Sequence, residues 1–556
     1  MMKTSRRFEL DEAVRAFVKP GASIYLNTDA TAAVRSLIRV FDGTAPGLTV
    51  QCLRAGASHA GELLETGLVR KLIASSFGTQ YPTFRPSPLL RRAYAGGAVQ
   101  FEFWSLFSLV QRLTAGALGL PFLTTRTLKG SSMAKDNPDY AEIENPFSGG
   151  TISIVRALQP DVCFIRALAS DDQGNSMVCP PFEDDLWPTR AARDGCIVLA
   201  ENIVSEQFMK EQARLVNLPA FNVLAVCHVP YASHPQGFES GQNLGLEIER
   251  YEMDIESYTD YERATRDSLT FRQWLDENIL SPDSHAGYLA KVRKRSGFPW
   301  PSKQDSLVDA CVATHESLVD QGVTACGLLI AELVQKRGYR KLLAGVGHAQ
   351  GAAKLAYQLL RASTHELTLI EGIGRVGFKP SSVEGKFSHD ASMLTGTSDV
   401  YGTMVGGNSQ DCVALLGAAQ IDRQGNINST FSGGKLLVGS GGLNDAVTLA
   451  ACSVVLMRSD PTRMVENVEY ITAPGAKVEF LVNEDAIFQK NKAGVFEILR
   501  WFLSEPNELK QQALARVQAS CPWPLALAQG ACGLHVATWR AGAWQSNIVI
   551  QPVPYQ

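Results

Sequence analysis

The chain has 556 residues, more than a single hydrophobic core supports, so it divides into roughly two to four domains. Hydrophobic residues make up 45% and charged residues 19%, with a formal net charge of −4. That balance describes a globular protein and gives no electrostatic reason for nucleic acid or an acidic membrane as partner, leaving small-molecule chemistry as the default.

Eleven cysteines stand singly, with no CxxC pair and no Cys/His cluster at ligand spacing, which fits reduced thiols better than a disulfide framework or a metal site. The start, MMKTSRRFEL, is basic but runs straight into charged sequence without an apolar h-region. No stretch reaches the roughly 18 apolar residues of a membrane helix, so the expected location is the cytoplasm. An amphipathic segment at 10–17 precedes Pro20, Gly21 and a strand at 23–27 (SIYLN). Further runs of strand length occupy 162–168 (VCFIRAL), 196–200 (CIVLA), 342–345 (LLAG), 367–370 (LTLI) and 413–416 (VALL). They alternate with amphipathic helical segments and glycine turns, the pattern of an α/β fold with helices on mainly parallel sheets. Residues 281–305 carry a basic cluster and a Pro-Trp-Pro unit, with no apolar period past Tyr288, and are the best linker in the chain. After them, 322–336 (GVTACGLLIAELVQK) leads into a strand and a glycine turn, repeating the order seen at the N-terminus.

A deeper echo joins 162–177 (VCFIRALASDDQGNSM) to 413–428 (VALLGAAQIDRQGNIN), roughly 250 residues apart and far beyond a solenoid period. Each is a buried strand, small residues, an acidic residue and then Gln-Gly-Asn. Two homologous α/β domains explain this economically; chance likeness between strand-turn-strand units is the alternative.

Several residues are candidates for chemistry. The run Gly345-Val346-Gly347-His348-Ala349-Gln350-Gly351 follows a strand and opens a helix. Its third glycine comes one position too late for a dinucleotide fingerprint and no Lys-Ser/Thr follows, so it reads as a tight turn whose helix N-terminus still offers amides to a phosphate. In Gly439-Ser440-Gly441-Gly442-Leu443-Asn444-Asp445, residues with almost no side chain either let backbone N–H groups approach an oxyanion or phosphate, or form a plain turn. Glu371 stands after Leu-Thr-Leu-Ile and before Gly372-Ile373-Gly374, at the end of a buried strand where open α/β sheets collect ligands; capping the next helix is its alternative role. His234 and His348 are acid/base candidates or structural residues among nine histidines, and no G-x-S-x-G elbow is present.

Together these segments resemble the glutaconate CoA-transferase group of class I CoA-transferases over nearly the whole chain. Residues 1–295 resemble the α subunit through 115–123 (AGALGLPFL), Gly130-Ser131-Ser132, 143–147 (IENPF), 160–165 (PDVCFI) and 230–235 (PYASHP). Residues 305–556, beyond a linker at 296–304, resemble the β subunit through LTLIEG around Glu371, 417–430, 439–444 (GSGGLN) and 468–475 (VEYITAPG). The resemblance implies two homologous α/β domains with the active site between them, the two subunits being fused in one chain that forms a homo-oligomer. It also implies a CoA-transferase that moves CoA from an acyl-CoA donor to a carboxylic acid acceptor by a ping-pong mechanism. Glu371 would be the nucleophile that becomes a glutamyl-CoA thioester, with no metal or organic cofactor. Such chemistry needs an oxyanion site and exclusion of water. Gly439, Ser440, Gly441, Gly442 and Asn444 are the candidates for CoA or oxyanion binding, and Gly130, Ser131 and Ser132 for the acid pocket. The chain departs from the family where Glu371-Gly372-Ile373-Gly374 replaces a Glu-Ser-Gly sequence, and its segment from Glu371 to Gly417 is short. The rival on the same fold is a hydrolase or lyase that opens a ring on a CoA thioester with an α-half carboxylate such as Glu102, which otherwise reads as a residue on a solvated helix end. A non-catalytic acyl-CoA binding protein is the reading from another class.

Overall fold

The apolar runs form strands buried on both faces, which is why they lack the alternation of a half-exposed sheet. The computed structural model describes residues 5–79, 84–180, 182, 186–294, 321–361, 366–378, 391–504 and 508–536, and the linker expected at 296–304 lies outside them. The chain divides into two compact units. Unit 1 takes Met1–Thr125, Asn137–Gln304 and Ser432–Gly441; unit 2 takes Arg126–Asp136, Asp305–Phe431 and Gly442–Gln556. Nothing in the composition marks the exchange of the two short segments, 126–136 and 432–441.

In unit 1, helix α1 (Leu10–Phe17) turns Leu10, Ala13 and Val14 inward and packs on α2 (Thr31–Phe41). Asp11 of α1 ties the pair together by accepting hydrogen bonds from Ser36 Oγ at 2.6 Å and Arg39 Nε at 2.8 Å. Seven strands follow: β1 (Ser23–Leu26), β2 (Leu48–Gln51), β3 (Val69–Ala74), β4 (Gln100–Phe103), β5 (Val162–Ser170), β6 (Gly195–Ile203) and β7 (Val223–His228). They pair in the order β7-β6-β5-β1-β2-β3-β4, every ladder parallel. Helix α3 (Leu106–Ala117) follows β4 and starts at a Ser105 cap.

Beyond its segment 126–136, unit 2 continues with α4 (Gln321–Arg337), β8 (Lys341–Ala344) and α5 (His348–Arg361). The helices touch closely because α4 carries Gly327, where a Cβ would stand 2.9 Å from the Ala352 carbonyl oxygen. Strands β9 (Thr368–Glu371), β10 (Arg375–Val376), β11 (Met393–Leu394), β12 (Cys412–Gly417), β13 (Cys452–Leu456) and β14 (Val478–Val482) give the order β11-β10-β9-β8-β12-β13-β14, and three further strands extend the sheet beyond β14. The stretch β9-β8-β12-β13-β14 is parallel, while β10 and β11 are antiparallel. Short helix α6 (Leu443–Leu449) precedes β13.

The parallel cores repeat one another. Ile24 of β1 pairs with Val50 and Val162 in unit 1, and Leu342 of β8 pairs with Leu369 and Val413 in unit 2. The sequence echo has a structural cause just beyond. Asp171 Oδ1 accepts from the N–H groups of Gln173 at 3.0 Å and Asn175 at 2.9 Å, and Oδ2 from Asn175 Nδ2 at 2.8 Å. Asp422 makes the same three bonds with Gln424 at 3.0 Å, Asn426 at 2.9 Å and Asn426 Nδ2 at 3.0 Å. An Asx turn of this kind needs the carboxylate, the amide and a residue that accepts positive φ, and Gly174 and Gly425 have φ +104° and +80°. Among the described residues no helix is long and apolar enough to cross a membrane.

Candidate active site

Glu371 closes β9 behind the buried Leu369 and Ile370, so its carboxylate emerges at the C-terminal end of a parallel strand. The chain then reverses at once. Gly374 N–H donates to the Glu371 carbonyl at 3.1 Å, and Glu371 pairs with Arg375 on β10. Both glycines of the turn are sterically required: a Cβ at Gly372 would collide with the Tyr401 hydroxyl, and one at Gly374 (φ +106°) with the Thr395 carbonyl. The departure from Glu-Ser-Gly therefore has a physical partner, Tyr401. Across the turn Arg375 Nη1 donates to Glu371 Oε2 at 3.0 Å, with the guanidinium buried and the carboxylate side chain 22% exposed. The carboxylate is thus oriented from one side and accessible from another.

Tyr401 also links this turn to the glycine loop. A Cβ at Gly442, the residue before α6, would strike the same Tyr401 hydroxyl. Burial, with Asp445 nearby, pushes the Tyr401 phenol well above its ordinary pKa, so it stays neutral. On α6 the Asn444 side chain is fully buried; Oδ1 accepts from Leu128 N–H at 3.0 Å and Nδ2 donates to the Thr472 carbonyl at 2.9 Å. Leu128 sits at φ +71°, a left-handed conformation that costs a bulky residue about 1 kcal/mol or more. Asn444 therefore acts as a brace for this strained backbone, and its amide is committed.

The segment 126–136, carried by unit 2, holds the three acid-pocket candidates. Gly130 has φ +82°. Ser131 N–H donates to the Leu128 carbonyl at 2.8 Å while its Oγ accepts from Ala134 N–H at 3.3 Å. Ser132 is clasped to Ile471: its N–H donates to the Ile471 carbonyl at 2.8 Å and its Oγ accepts from Ile471 N–H at 2.9 Å. Glu371, Gly130, Ser131, Ser132, Gly442 and Asn444 all belong to unit 2.

Gly439, Ser440 and Gly441 belong instead to unit 1. Gly439 bridges to Ser76, Gly441 N–H donates to the Ser75 carbonyl at 2.8 Å, and Leu106 N–H donates to the Gly441 carbonyl at 2.9 Å. A Cβ at Gly439 would stand 2.7 Å from the Phe77 ring and 2.8 Å from the Ser75 carbonyl. Close packing of backbone on the end of β3 thus accounts for these glycines.

Glu102 is not on a solvated helix end: it lies in β4 and is 7% exposed. Oε1 accepts from Trp104 Nε1 at 2.7 Å and Arg112 Nη1 at 2.8 Å, and Oε2 pairs with Lys71 at 2.6 Å. Burial pushes this carboxyl up, but Arg112, Lys71 and Trp104 more than offset it and hold the pKa below the ordinary value. His234 is fully buried between Tyr288 Oη at 2.6 Å and Asp254 at 3.0 Å, while His348 is exposed at the start of α5. Sequence reasoning passed over Arg375 and Tyr401. Arg375 had a signal in the Glu-Gly-x-Gly-Arg spacing of a tight hairpin; Tyr401 had none, because only the fold brings it to the two glycines.

The family model described as coenzyme A transferase matches residues 8–228. One subunit of the 3-oxoadipate CoA-transferase of Pseudomonas knackmussii is 32% identical over 233 residues, covering 41% of this chain and 78% of that protein. One subunit of the glutaconate CoA-transferase of Acidaminococcus fermentans is 24% identical over 307 residues, covering 52% and 92%. Among solved structures, an acyl-CoA transferase from Escherichia coli O157:H7 matches with a TM-score of 0.67 at 13% identity over 96% of each chain, a likeness of fold.

Proposed function

Since this chain belongs to the coenzyme A transferase family, we propose that it moves CoA from an acyl-CoA donor to a carboxylic acid acceptor through a glutamyl-CoA thioester on Glu371. The observation that carries this reading is the placement of Glu371: a carboxylate at the C-terminal end of β9, accessible, and oriented by Arg375 across a turn too tight for side chains.

The Glu371 carboxylate attacks the thioester carbonyl; the C–S bond breaks, CoA leaves as thiolate, and a glutamyl-acyl anhydride remains. The thiolate then attacks the glutamyl carbonyl and expels the donor acid as carboxylate, leaving glutamyl-CoA. An acceptor carboxylate attacks that thioester, and the released thiolate attacks the acceptor acyl carbonyl, regenerating Glu371. No net proton or electron is consumed. Arg375 orients the attacking carboxylate through Oε2, the entropic part of catalysis, and Asn444 is a positioning residue that braces Leu128 and Thr472. Against the ring-opening reading stands the engagement of both Glu102 oxygens by Trp104, Arg112 and Lys71.

Incubation with acyl-CoA and no acceptor is expected to leave a covalent CoA adduct that borohydride reduces to an alcohol at residue 371, read by peptide mass spectrometry. Near-normal transfer by Glu371→Ala, with no adduct on the wild-type protein, would overturn the proposal. Inactive Glu102→Ala protein alongside active Glu371→Ala protein would transfer support to the ring-opening chemistry.

A further inference from the structure

Unit 1 holds a cavity lined by none of the residues named in that mechanism. Its walls include Arg35 from α2, His59 and Glu62 from the next short helix, and Trp274, Tyr288 and Lys291 from the later helices of the unit. Arg35 is 3% exposed. Its Nη1 donates to the His234 carbonyl at 2.8 Å, and the guanidinium carbon lies 4.0 Å over the Tyr288 ring. Nε and Nη2 are both buried without a hydrogen-bond partner among the described residues. That free edge is the fork of a guanidinium that accepts a carboxylate through two parallel hydrogen bonds.

The other polar groups around the cavity are placed differently. Glu62 Oε1 lies 2.7 Å from His59 Nδ1, so that carboxylate already has a donor. His59 Nδ1 is thus engaged by Glu62, and its Nε2 is also buried and unpartnered among the described residues. Lys291 Nζ donates to the Glu277 carbonyl at 2.7 Å and adds a second cation to the wall. Among the described residues no anion is hydrogen-bonded to Arg35, and Glu62, the carboxylate that acts on it through space, is held by His59, so two guanidinium N–H groups stay desolvated without an acceptor, which is costly. A carboxylate entering the cavity would relieve that cost, which is the source of its affinity.

We propose that this cavity, which Glu371 does not line, is a binding site for the carboxylate of a small organic acid. Nε–H and Nη2–H of Arg35 hold the carboxylate, Tyr288 and Trp274 bound the carbon skeleton, and His59 Nε2 forms a hydrogen bond with a hydroxyl where the acid carries one. The site does not depend on the transfer mechanism proposed above.

Calorimetric titration of the full chain with sodium acetate, sodium lactate and sodium phosphate at matched ionic strength tests this. Saturable acetate binding is expected, with lactate tighter than acetate. Binding should weaken at least tenfold in Arg35→Met and persist in Glu371→Ala, so that loss of this site and failure of the catalytic reading are separable. Asn278→Phe fills the same cavity while leaving Arg35 in place; it should also abolish binding, and it decides the matter if Arg35→Met does not fold. Unchanged acetate binding in either folded variant, absence of saturable acetate binding in the wild type, or binding of phosphate alone would overturn the proposal.

Discussion

In unit 1 the parallel strand β2 delivers Gln51 and then Cys52 to its C-terminal end; in unit 2 the matching strand β9 delivers Ile370 and then Glu371. The match follows from register, since Tyr25 of β1 pairs with Gln51 and Leu343 of β8 pairs with Ile370. Yet Cys52 is fully buried, and the chain beyond β2 runs on through a helix to another parallel strand, β3. Beyond β9 the chain folds back within four residues into antiparallel β10, which carries Arg375 to the carboxylate. One scaffold therefore holds a buried thiol or an oriented carboxylate, and the difference lies in the connection that leaves the strand.

The strongest way to break this comparison is to alter the two strand ends in parallel. Glu371→Ala is expected to lower turnover by about 10³-fold or more, and Cys52→Ala to leave it within about threefold while costing roughly 1 kcal/mol of stability. Steady-state rates and urea midpoints check both, and equal kinetic losses would dissolve the distinction. The shared turn gives the converse expectation. Asp171→Ala removes four hydrogen bonds to a buried carboxylate and Asp422→Ala three, so each should destabilise by about 3 kcal/mol. If one were silent in thermal melts, the repeat would be one of sequence alone.

Arg375→Gln sharpens the comparison at its connection. A positioning role predicts kcat reduced about tenfold with KM little changed, and partial rescue by Arg375→Lys; a purely structural role would instead lower the melting temperature and leave kcat of the folded fraction intact. The smallest effect is expected from pH. His285 in unit 1 donates from Nε2 to the Pro230 carbonyl at 2.7 Å, and burial, with Arg35 nearby, pushes its pKa down to about 3. The unfolded imidazole takes up a proton below about 6.5 while the folded one does not. Stability should therefore fall as pH drops from about 6.5 toward 3. Because the residue is partly exposed, the loss between pH 7 and 5 should be about 1 kcal/mol, and His285→Gln should flatten it in urea titrations.

The parallel sheets were readable in the chain because continuous runs such as VCFIRAL and VALL have one physical explanation, burial on both faces. The Asp-x-Gln-Gly-Asn echo was readable for a similar reason: the turn needs those side chains in that order. Glu371 was legible through its strand and glycines. What the sequence withheld were matters of tertiary placement. Asn444 looked available to a ligand but braces Leu128; Glu102 looked solvated but sits in a strand among three partners; Tyr401 became relevant only when the fold set it against Gly372 and Gly442. Glycine runs announce that something comes close without saying whether it is a ligand or the protein's own backbone.

The exchange of segments 126–136 and 432–441 bears on how the chain is made. Unit 1 takes its last piece from Ser432–Gly441, which supplies the Gly439 bridge to Ser76 and the Gly441 bonds to Ser75 and Leu106. A ribosome adds roughly 5–20 residues per second and releases most proteins domain by domain from the N-terminus. Here the first sheet can assemble early, but the chain leaving β3 around Ser75 to Phe77 waits for tens of seconds of further translation. The nascent protein thus passes through an interval in which a nearly complete domain carries an unfilled seam, and slowed synthesis between residues 305 and 441 would lengthen its exposure to chaperones or to neighbouring chains.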